Sequence, residues 1–344
     1  MNTTPILELK EVTKWYPVRR GLVGEILNRE KQYVKAVDGV NLSVRQGEIV
    51  GLVGESGSGK STLGELIVRL QTPTGGSIHF EGTDITHVNP RKLPNFRRGV
   101  QIIFQDPYST LNPRFTIFRT LVEPLLVNGV KDKGELQDRV SLALKRSGLN
   151  PTDKLLNSFP SSLSGGQRQR VSVARAIVLE PKLIVADEPV SMLDVSIRSG
   201  ILNLLHELRE TMGLTIVFIS HDLSTVQYLC DRIAIMYLGR IAEIGSTETV
   251  IGGAQHPYSR ALLNAVPVVD PDIVRERGAV EDEPPNAMNI PPGCRFAPRC
   301  PFVTAGCLSP EPELAAVAPG HFVRCIHPRT EPMWIQHPTL LEKE

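Results

Sequence analysis

Eight residues, Gly54-Glu55-Ser56-Gly57-Ser58-Gly59-Lys60-Ser61, stand between an apolar, strand-like run, Ile49 to Val53, and a helix-like run, Thr62 to Leu70. The pattern G-x-x-x-x-G-K-[ST], met in the order strand, loop, helix, is that of a phosphate-binding loop in an α/β core. Small residues let successive backbone N–H groups curl around a β-phosphate at the helix N-terminus. Lys60 adds a point charge between β- and γ-phosphates, and the Ser61 hydroxyl is placed to ligate Mg²⁺.

Composition is consistent with a cytosolic, nucleotide-using protein. The 344 residues are 41% hydrophobic, enough for a full core and two domains, one main and one accessory. With a net charge of +1, nothing argues for a nucleic-acid-coating protein. No run approaches the roughly 18 apolar residues that span a bilayer, and Met1 to Lys10 lacks a signal-peptide layout. Any membrane role is therefore expected to come through a partner. Four of the five cysteines bunch near the C-terminus, too localised for a secreted disulfide scaffold.

Along the chain, Ile6 to Tyr16 reads as a strand, Arg19 to Lys35 as an exposed basic insertion, and Ala36 to Val50 as a hairpin feeding the phosphate loop. The region from about 106 to 175 is mostly helical in pattern. Leu183 to Ala186 and Thr215 to Ser220 are short β-branched runs separated by the helix-like Ile197 to Met212, a βαβ rhythm that predicts a parallel sheet. Ile233 to Ile244, broken by Gly239, reads as a last hairpin. Ten of the 27 prolines lie between Pro284 and Pro328, which excludes regular helix or central strand there.

Leu183-Ile184-Val185-Ala186 ends in two acids, Asp187 and Glu188. The first suits a water-mediated hold on Mg²⁺, and the second could orient or deprotonate an attacking water. Leu163-Ser164-Gly165-Gly166-Gln167 offers a second anion-binding element, bare backbone and a hydroxyl before a helix expected to begin near Gln167. One chain has no second phosphate to give it, so it is expected to meet a nucleotide held by another subunit.

Lys60, the pair Asp187-Glu188 and Leu163 to Gln167 resemble the Walker A, Walker B and signature motifs of the ATP-binding-cassette family, and the resemblance runs over essentially the whole chain. Gln105 in Phe104-Gln105-Asp106-Pro107 is similar to the Q-loop, Ser191-Met192-Leu193-Asp194 to the D-loop, and His221 to the switch histidine. Tyr16, with Trp15 as its neighbour and competitor, sits where the family stacks a ring on adenine. The resemblance implies an ATP site of Tyr16, Gly54, Glu55, Ser56, Gly57, Ser58, Gly59, Lys60, Ser61, Thr62, Gln105, Asp187, Glu188 and His221. Within it, Lys60, Gln105, Glu188 and His221 would be catalytic, and Ser61, Gln105 and Asp187 would surround Mg²⁺. Ser164, Gly165, Gly166, Gln167 and Asp194 would serve the ATP of a partner subunit.

Tyr108 to Arg114, His256-Pro257-Tyr258 and the cysteine-bearing tail resemble, more narrowly, the ATPases of dipeptide and oligopeptide permeases. Tyr16-Pro17-Val18 and the basic stretch after it look like the second of the two ATPases such permeases carry. Nickel, glutathione and oligosaccharide importers share this ATPase type. A soluble cassette of DNA repair or translation would carry a coiled-coil insertion or a second cassette, and this chain has neither.

Cys294, Cys300, Cys307 and Cys325 are separated by five, six and seventeen residues, looser than the C-x₂₋₄-C pairs of structural zinc sites. Spacing leaves zinc, an iron–sulfur cluster and four inert thiols open. Resemblance to the peptide-permease ATPases implies a 4Fe-4S cluster. Cys230, in a helix-like run, reads as a packing residue.

The expected architecture is thus an α/β P-loop NTPase of cassette type over residues 1–265, with a helical subdomain at about 106–175. A small proline-rich, cysteine-ligated domain follows over 266–344, separate from the core that carries the Walker residues. The resemblance implies a second ATPase subunit, two transmembrane permease subunits, an external peptide-binding protein, and a peripheral place on the cytoplasmic face of the membrane.

Overall fold

The computed structural model describes residues 5–18, 32–89, 92–265, 273–275, 287–288, 290–331 and 334–336. Most of the basic stretch Arg19 to Lys35 lies outside these residues, as does the expected domain boundary at 266.

Two kinds of strand sequence build two sheets. β1 (Leu7–Pro17) buries Leu7, Leu9 and Val12 and pairs antiparallel with β2 (Tyr33–Val44) on one side and β4 (Gly75–Phe80) on the other. A short β5 (Thr83–Asp84) beyond β4 completes this four-stranded sheet. By contrast, β3 (Ile49–Val53), β6 (Val100–Ile103), β7 (Leu183–Asp187), β8 (Thr215–Ser220) and β9 (Arg232–Tyr237) are nearly continuous apolar runs. Such strands must be covered on both faces, and they pair in parallel in the order β9-β3-β8-β7-β6. The predicted βαβ unit is present, with the helix Val195–Met212 between β7 and β8.

The expected last hairpin is also found: β10 (Arg240–Ser246) returns antiparallel on β9 through Leu238-Gly239. From the tail, β12 (Ala315–Ala318) and β13 (His321–Val323) extend that edge, making eight strands. Proline is tolerated there because the edge needs few ladder bonds. A separate ribbon joins β11 (Ile273–Arg275) to β14 (Trp334–Gln336).

Ala36 to Val50 is not a hairpin. β2 pairs with β1, whereas β3, buried throughout, inserts between β8 and β9 of the other sheet. A tight turn carries the chain across, with the Arg45 amide donating to Glu48 Oε2 at 2.7 Å. Between 106 and 175 the helices are Pro107–Thr110, Ile117–Val127, Lys133–Arg146, Asp153–Leu156 and Gly165–Ile177.

The two sheets enclose the helix Lys60–Ile67, whose Leu63, Leu66 and Ile67 pack among Leu7, Leu9, Leu52, Val185 and Ile219. On the other side of the main sheet, Ile49, Val53 and Phe218 join Val171, Leu205, Tyr258 and Phe296. Phe296 comes from the tail, and Cys294 and Cys300 pack against the same cluster. The tail therefore shares the core behind the phosphate loop, contrary to the expected separation. It contributes apolar surface that a short proline-rich segment could not bury alone.

Cys230 lies just past the helix Leu223–Leu229 rather than inside it, and it is buried. A Cβ on Gly51 would stand 3.1 Å from its sulfur and 2.6 Å from Val226 Cγ1, so glycine and cysteine fit as one packing unit. Burial pushes its thiol well above the ordinary range.

Candidate active site

The loop after β3 is shaped by what surrounds it. Gly59 has φ 101°, and a Cβ there would lie 2.0 Å from the Ala36 carbonyl oxygen, so only glycine fits. Gly59 also precedes the helix Lys60–Ile67 without a side-chain cap. A missing cap costs about 1 kcal/mol, while each fully buried Leu or Ile returns roughly 1.5–3 kcal/mol. Core packing thus lets this helix begin with the amides of its first turn uncapped, as a phosphate needs.

Lys60 is buried, its Nζ donating to the carbonyls of Gly54 at 2.8 Å and Glu55 at 2.9 Å and reaching Ser58 Oγ at 3.4 Å. Burial draws its pKa down, while Glu188, Asp187 and Glu55 pull it back up. The ammonium is thus held at the loop by weak carbonyl partners that a phosphate would replace with stronger, charged ones.

At the end of β7, the Ser61 hydroxyl donates to Asp187 Oδ1 at 3.1 Å. Burial raises the pKa of Asp187, the Ser61 bond opposes that, and the neighbouring Glu188 adds to it. A half-buried carboxylate beside a second acid and a hydroxyl is an oxygen-rich donor set that a hard divalent cation would relieve. Glu188 has φ 45°, a left-handed conformation that a non-glycine residue adopts only when its surroundings impose it. Its amide donates to the Ile219 carbonyl at 2.9 Å. Its carboxylate bridges two elements, accepting from Gln105 Nε2 at 2.9 Å and lying 3.1 Å from His221 Nδ1. Lys60, Ser61, Gln105, Asp187, Glu188 and His221, spread over 162 positions from Lys60 to His221, thus form one connected site.

The ABC transporter family profile matches residues 37–191, and the profile of the oligopeptide/dipeptide transporter C-terminal region matches residues 242–307. The oligopeptide transport ATP-binding protein AppF of Bacillus subtilis strain 168 is 44% identical over 327 residues, 94% of this chain and 98% of its own length. The dipeptide transport ATP-binding protein DppF of Escherichia coli K12 is 40% identical over 321 residues, 93% of this chain and 94% of its own. The chain belongs to the ATP-binding-cassette family. A solved dimeric cassette, in a post-hydrolysis state with ADP and phosphate, matches with a TM-score of 0.60 at 31% identity, over 70% of this chain and 98% of that one.

Of the remaining family motifs of this ABC ATPase, the D-loop touches the Walker residues through Ser191, whose hydroxyl donates to the Glu188 carbonyl at 3.0 Å. Ser164, Gly165, Gly166 and Gln167 open the helix Gly165–Ile177, two residues earlier than expected. The reason is a capping box: Ser164 Oγ accepts from the Gln167 amide at 3.3 Å, and Gln167 Oε1 accepts from the Ser164 amide at 3.0 Å. Asp194 is exposed at the start of Val195–Met212 and makes no capping bond. The Tyr16 hydroxyl donates to Gln71 Oε1 at 2.6 Å, whereas Trp15 donates from Nε1 to Asp38 at 2.8 Å under the Lys35 ammonium. Thr62 is half-buried, and Ser56 and Gly57 are exposed at the loop tip.

The four tail cysteines are free thiols that border one cavity, together with His256, Phe302 and His327. Burial, and then the proximity of Cys294, Cys300 and Cys307, push Cys325 up to about 11. Among the described residues, no group of three or more His, Cys, Asp or Glu converges to hold a metal ion. No helix among them is long and apolar enough to cross a membrane.

Two residues that touch the loop escaped sequence reasoning. The Tyr258 hydroxyl accepts from the Glu55 amide at 2.9 Å, and Arg299 pairs with the Glu55 carboxylate. Tyr258 stood in a recognised motif with no role attached. Arg299 carried no signal, because its contact joins segments 244 positions apart.

Proposed function

We propose that this ABC ATPase powers import of di- and oligopeptides as one of two ATPase subunits beneath two transmembrane permease subunits, with an external peptide-binding protein delivering substrate. Support comes from the roles its relatives are named for, oligopeptide and dipeptide transport, and from the match to the C-terminal region of such transporters. The subunit would sit on the cytoplasmic face of the membrane. Its ATPase domain would comprise residues 1–265, with the helices of about 106–175 facing the permease, and its accessory domain residues 266–344.

The observation that carries the catalytic assignment is Glu188, fixed between Gln105 and His221 beside Ser61 and Asp187. In the proposed reaction, water attacks the γ-phosphorus, the bond to the β,γ-bridging oxygen breaks, and ADP and phosphate leave. Glu188 orients and deprotonates the water, His221 steadies the Glu188 carboxylate, and Lys60 with the loop amides holds the phosphate charge. Ser61, Asp187 and the Gln105 side-chain carbonyl would hold Mg²⁺, which when bound neutralises phosphate charge. The capped, exposed start at Ser164 would meet the ATP of a partner arranged head to tail. The exposed Met192 and Val195 flanking Asp194 suit burial in that contact.

For the tail we propose the 4Fe-4S cluster in preference to zinc. Structural zinc sites start from C-x₂₋₄-C pairs, and the spacings of five, six and seventeen residues between Cys294, Cys300, Cys307 and Cys325 are looser. Ligands of a cluster each bind a different iron, so four thiols around a shared cavity suit it better. Protein purified without oxygen should be brown and carry about four irons per chain; colourless protein with one tightly held zinc would overturn the cluster. Co-purification with two membrane proteins, and peptide uptake that stops when the ATPase is disabled, would test the transport assignment. A soluble ATPase with no such partners would contradict it.

A further inference from the structure

The segment between Cys294 and Cys300 sends two buried arginines into the ATPase core. Arg295 pairs with Asp38 of β2, donates to the Leu238 carbonyl, and bonds Glu311 at 2.9 Å. Arg299, 4% exposed, forms a two-pronged pair with Glu55, its two terminal nitrogens lying 2.9 Å and 3.0 Å from the carboxylate oxygens. One of those nitrogens also donates to the Tyr237 hydroxyl at 3.3 Å. The 3₁₀ turn Ala297–Arg299 fixes where Arg299 starts, with the Ala297 amide on the Cys294 carbonyl at 3.0 Å and the Arg299 amide on Phe296 at 2.9 Å.

Glu55 is the second residue of the phosphate loop, and each of its polar groups is taken. Arg299 holds the carboxylate, Tyr258 the amide and Lys60 the carbonyl. When Lys60 turns toward a phosphate, Arg299 and Tyr258 are the side chains that still hold Glu55, with the Ser58 amide on its carbonyl at 3.2 Å. Glu55 also places a negative charge at the mouth of a site built for a polyanion. Left bare, that carboxylate would repel the triphosphate in a poorly screened pocket. Paired with a rigid guanidinium fork, it becomes a neutral anchor for the loop backbone.

We propose that Arg299 is a positioning residue for ATP binding: from the cysteine-lined tail it neutralises Glu55 and fixes the open end of the phosphate loop. This rests on ATP as the ligand of that loop. A tail that loosens its Cys294–Cys300 segment lowers ATP affinity, even though the tail supplies none of the residues assigned to the ATP site.

The test is a two-residue cycle in the full chain, reading ATP dissociation constants and steady-state kinetics. Arg299→Ala should raise the ATP Kd and KM about tenfold, the loss of one charge-assisted pair, with kcat within about twofold. Adding Glu55→Gln should restore affinity to within about threefold of the parent, since no bare charge remains. Arg299→Gln, which keeps the bulk of the side chain, should behave like alanine and covers the case in which alanine loosens the tail. Unchanged Kd in both Arg299 variants would overturn the proposal, as would a double variant no tighter than Arg299→Ala. Lys60→Ala sets the floor for lost binding; a parent chain already at that floor would refute the ATP site itself rather than the clamp.

Discussion

Two helix N-termini in this molecule carry nearly the same residues, serine and glycine at or just before a first turn, and are prepared for opposite fates. The helix Lys60–Ile67 starts uncapped, with a buried lysine and two acids around it. The helix Gly165–Ile177 starts with a complete capping box and an exposed surface, and its bonds are to itself. The first leaves donors in need of an anion and surrounds them with the groups that act on it. The second is stable as it stands and lacks catalytic neighbours. An anion-binding end with no chemistry beside it makes sense as half of a site, completed when another subunit brings its own nucleotide.

The largest effect should fall on the assembled half. Glu188→Gln keeps shape and hydrogen bonding to Gln105 and His221 but deletes the base, so turnover should drop by about 10²–10⁴ while ATP still binds. Turnover equal to the parent's would mean that another group is the base. Next in size, Lys60→Ala should weaken ATP binding by roughly a hundredfold, in line with losing a buried charged contact. Equilibrium binding of a fluorescent ATP analogue would measure it, and parental affinity would remove Lys60 from the phosphates.

A third N-terminus sharpens the contrast with a smaller effect. His256 caps Pro257–Asn264, its Nδ1 accepting from the Tyr258 amide at 3.0 Å. That bond needs a neutral ring, and burial pushes the His256 pKa down to about 4. The unfolded chain titrates near about 6.5, so below that pH the unfolded state binds the extra proton. Stability from this group is complete above the unfolded value and is lost as pH falls toward about 4, at up to roughly 1.4 kcal/mol per pH unit. Thermal melts between pH 7 and 5 should show this slope, and His256→Asn, which can cap without titrating, should flatten it. An equally steep slope in the variant would assign the dependence to another group.

What the sequence disclosed follows from range. The phosphate loop, β7 with its acids, the βαβ unit and the β9–β10 hairpin are set by neighbours along the chain, and period and turn residues reveal such elements. Ala36 to Val50 misled because its two halves have better partners far away, and a local pattern does not carry that competition. The signature helix began early because Gln167, expected as its first residue, is the N3 member of a capping box. Arg299 was invisible for the same reason that it matters: an arginine among prolines acquires meaning only when the fold brings it to Glu55.

The central claim, that the Ser164 end serves a nucleotide held by another subunit, is tested most directly by Ser164→Arg in the assembled ATPase pair. Hydrolysis would be measured one site at a time by disabling the catalytic base of the other. The account predicts that turnover at the partner's Walker A site collapses while turnover at Lys60 and Glu188 of the altered chain persists. Loss confined to the altered chain's own site would contradict it.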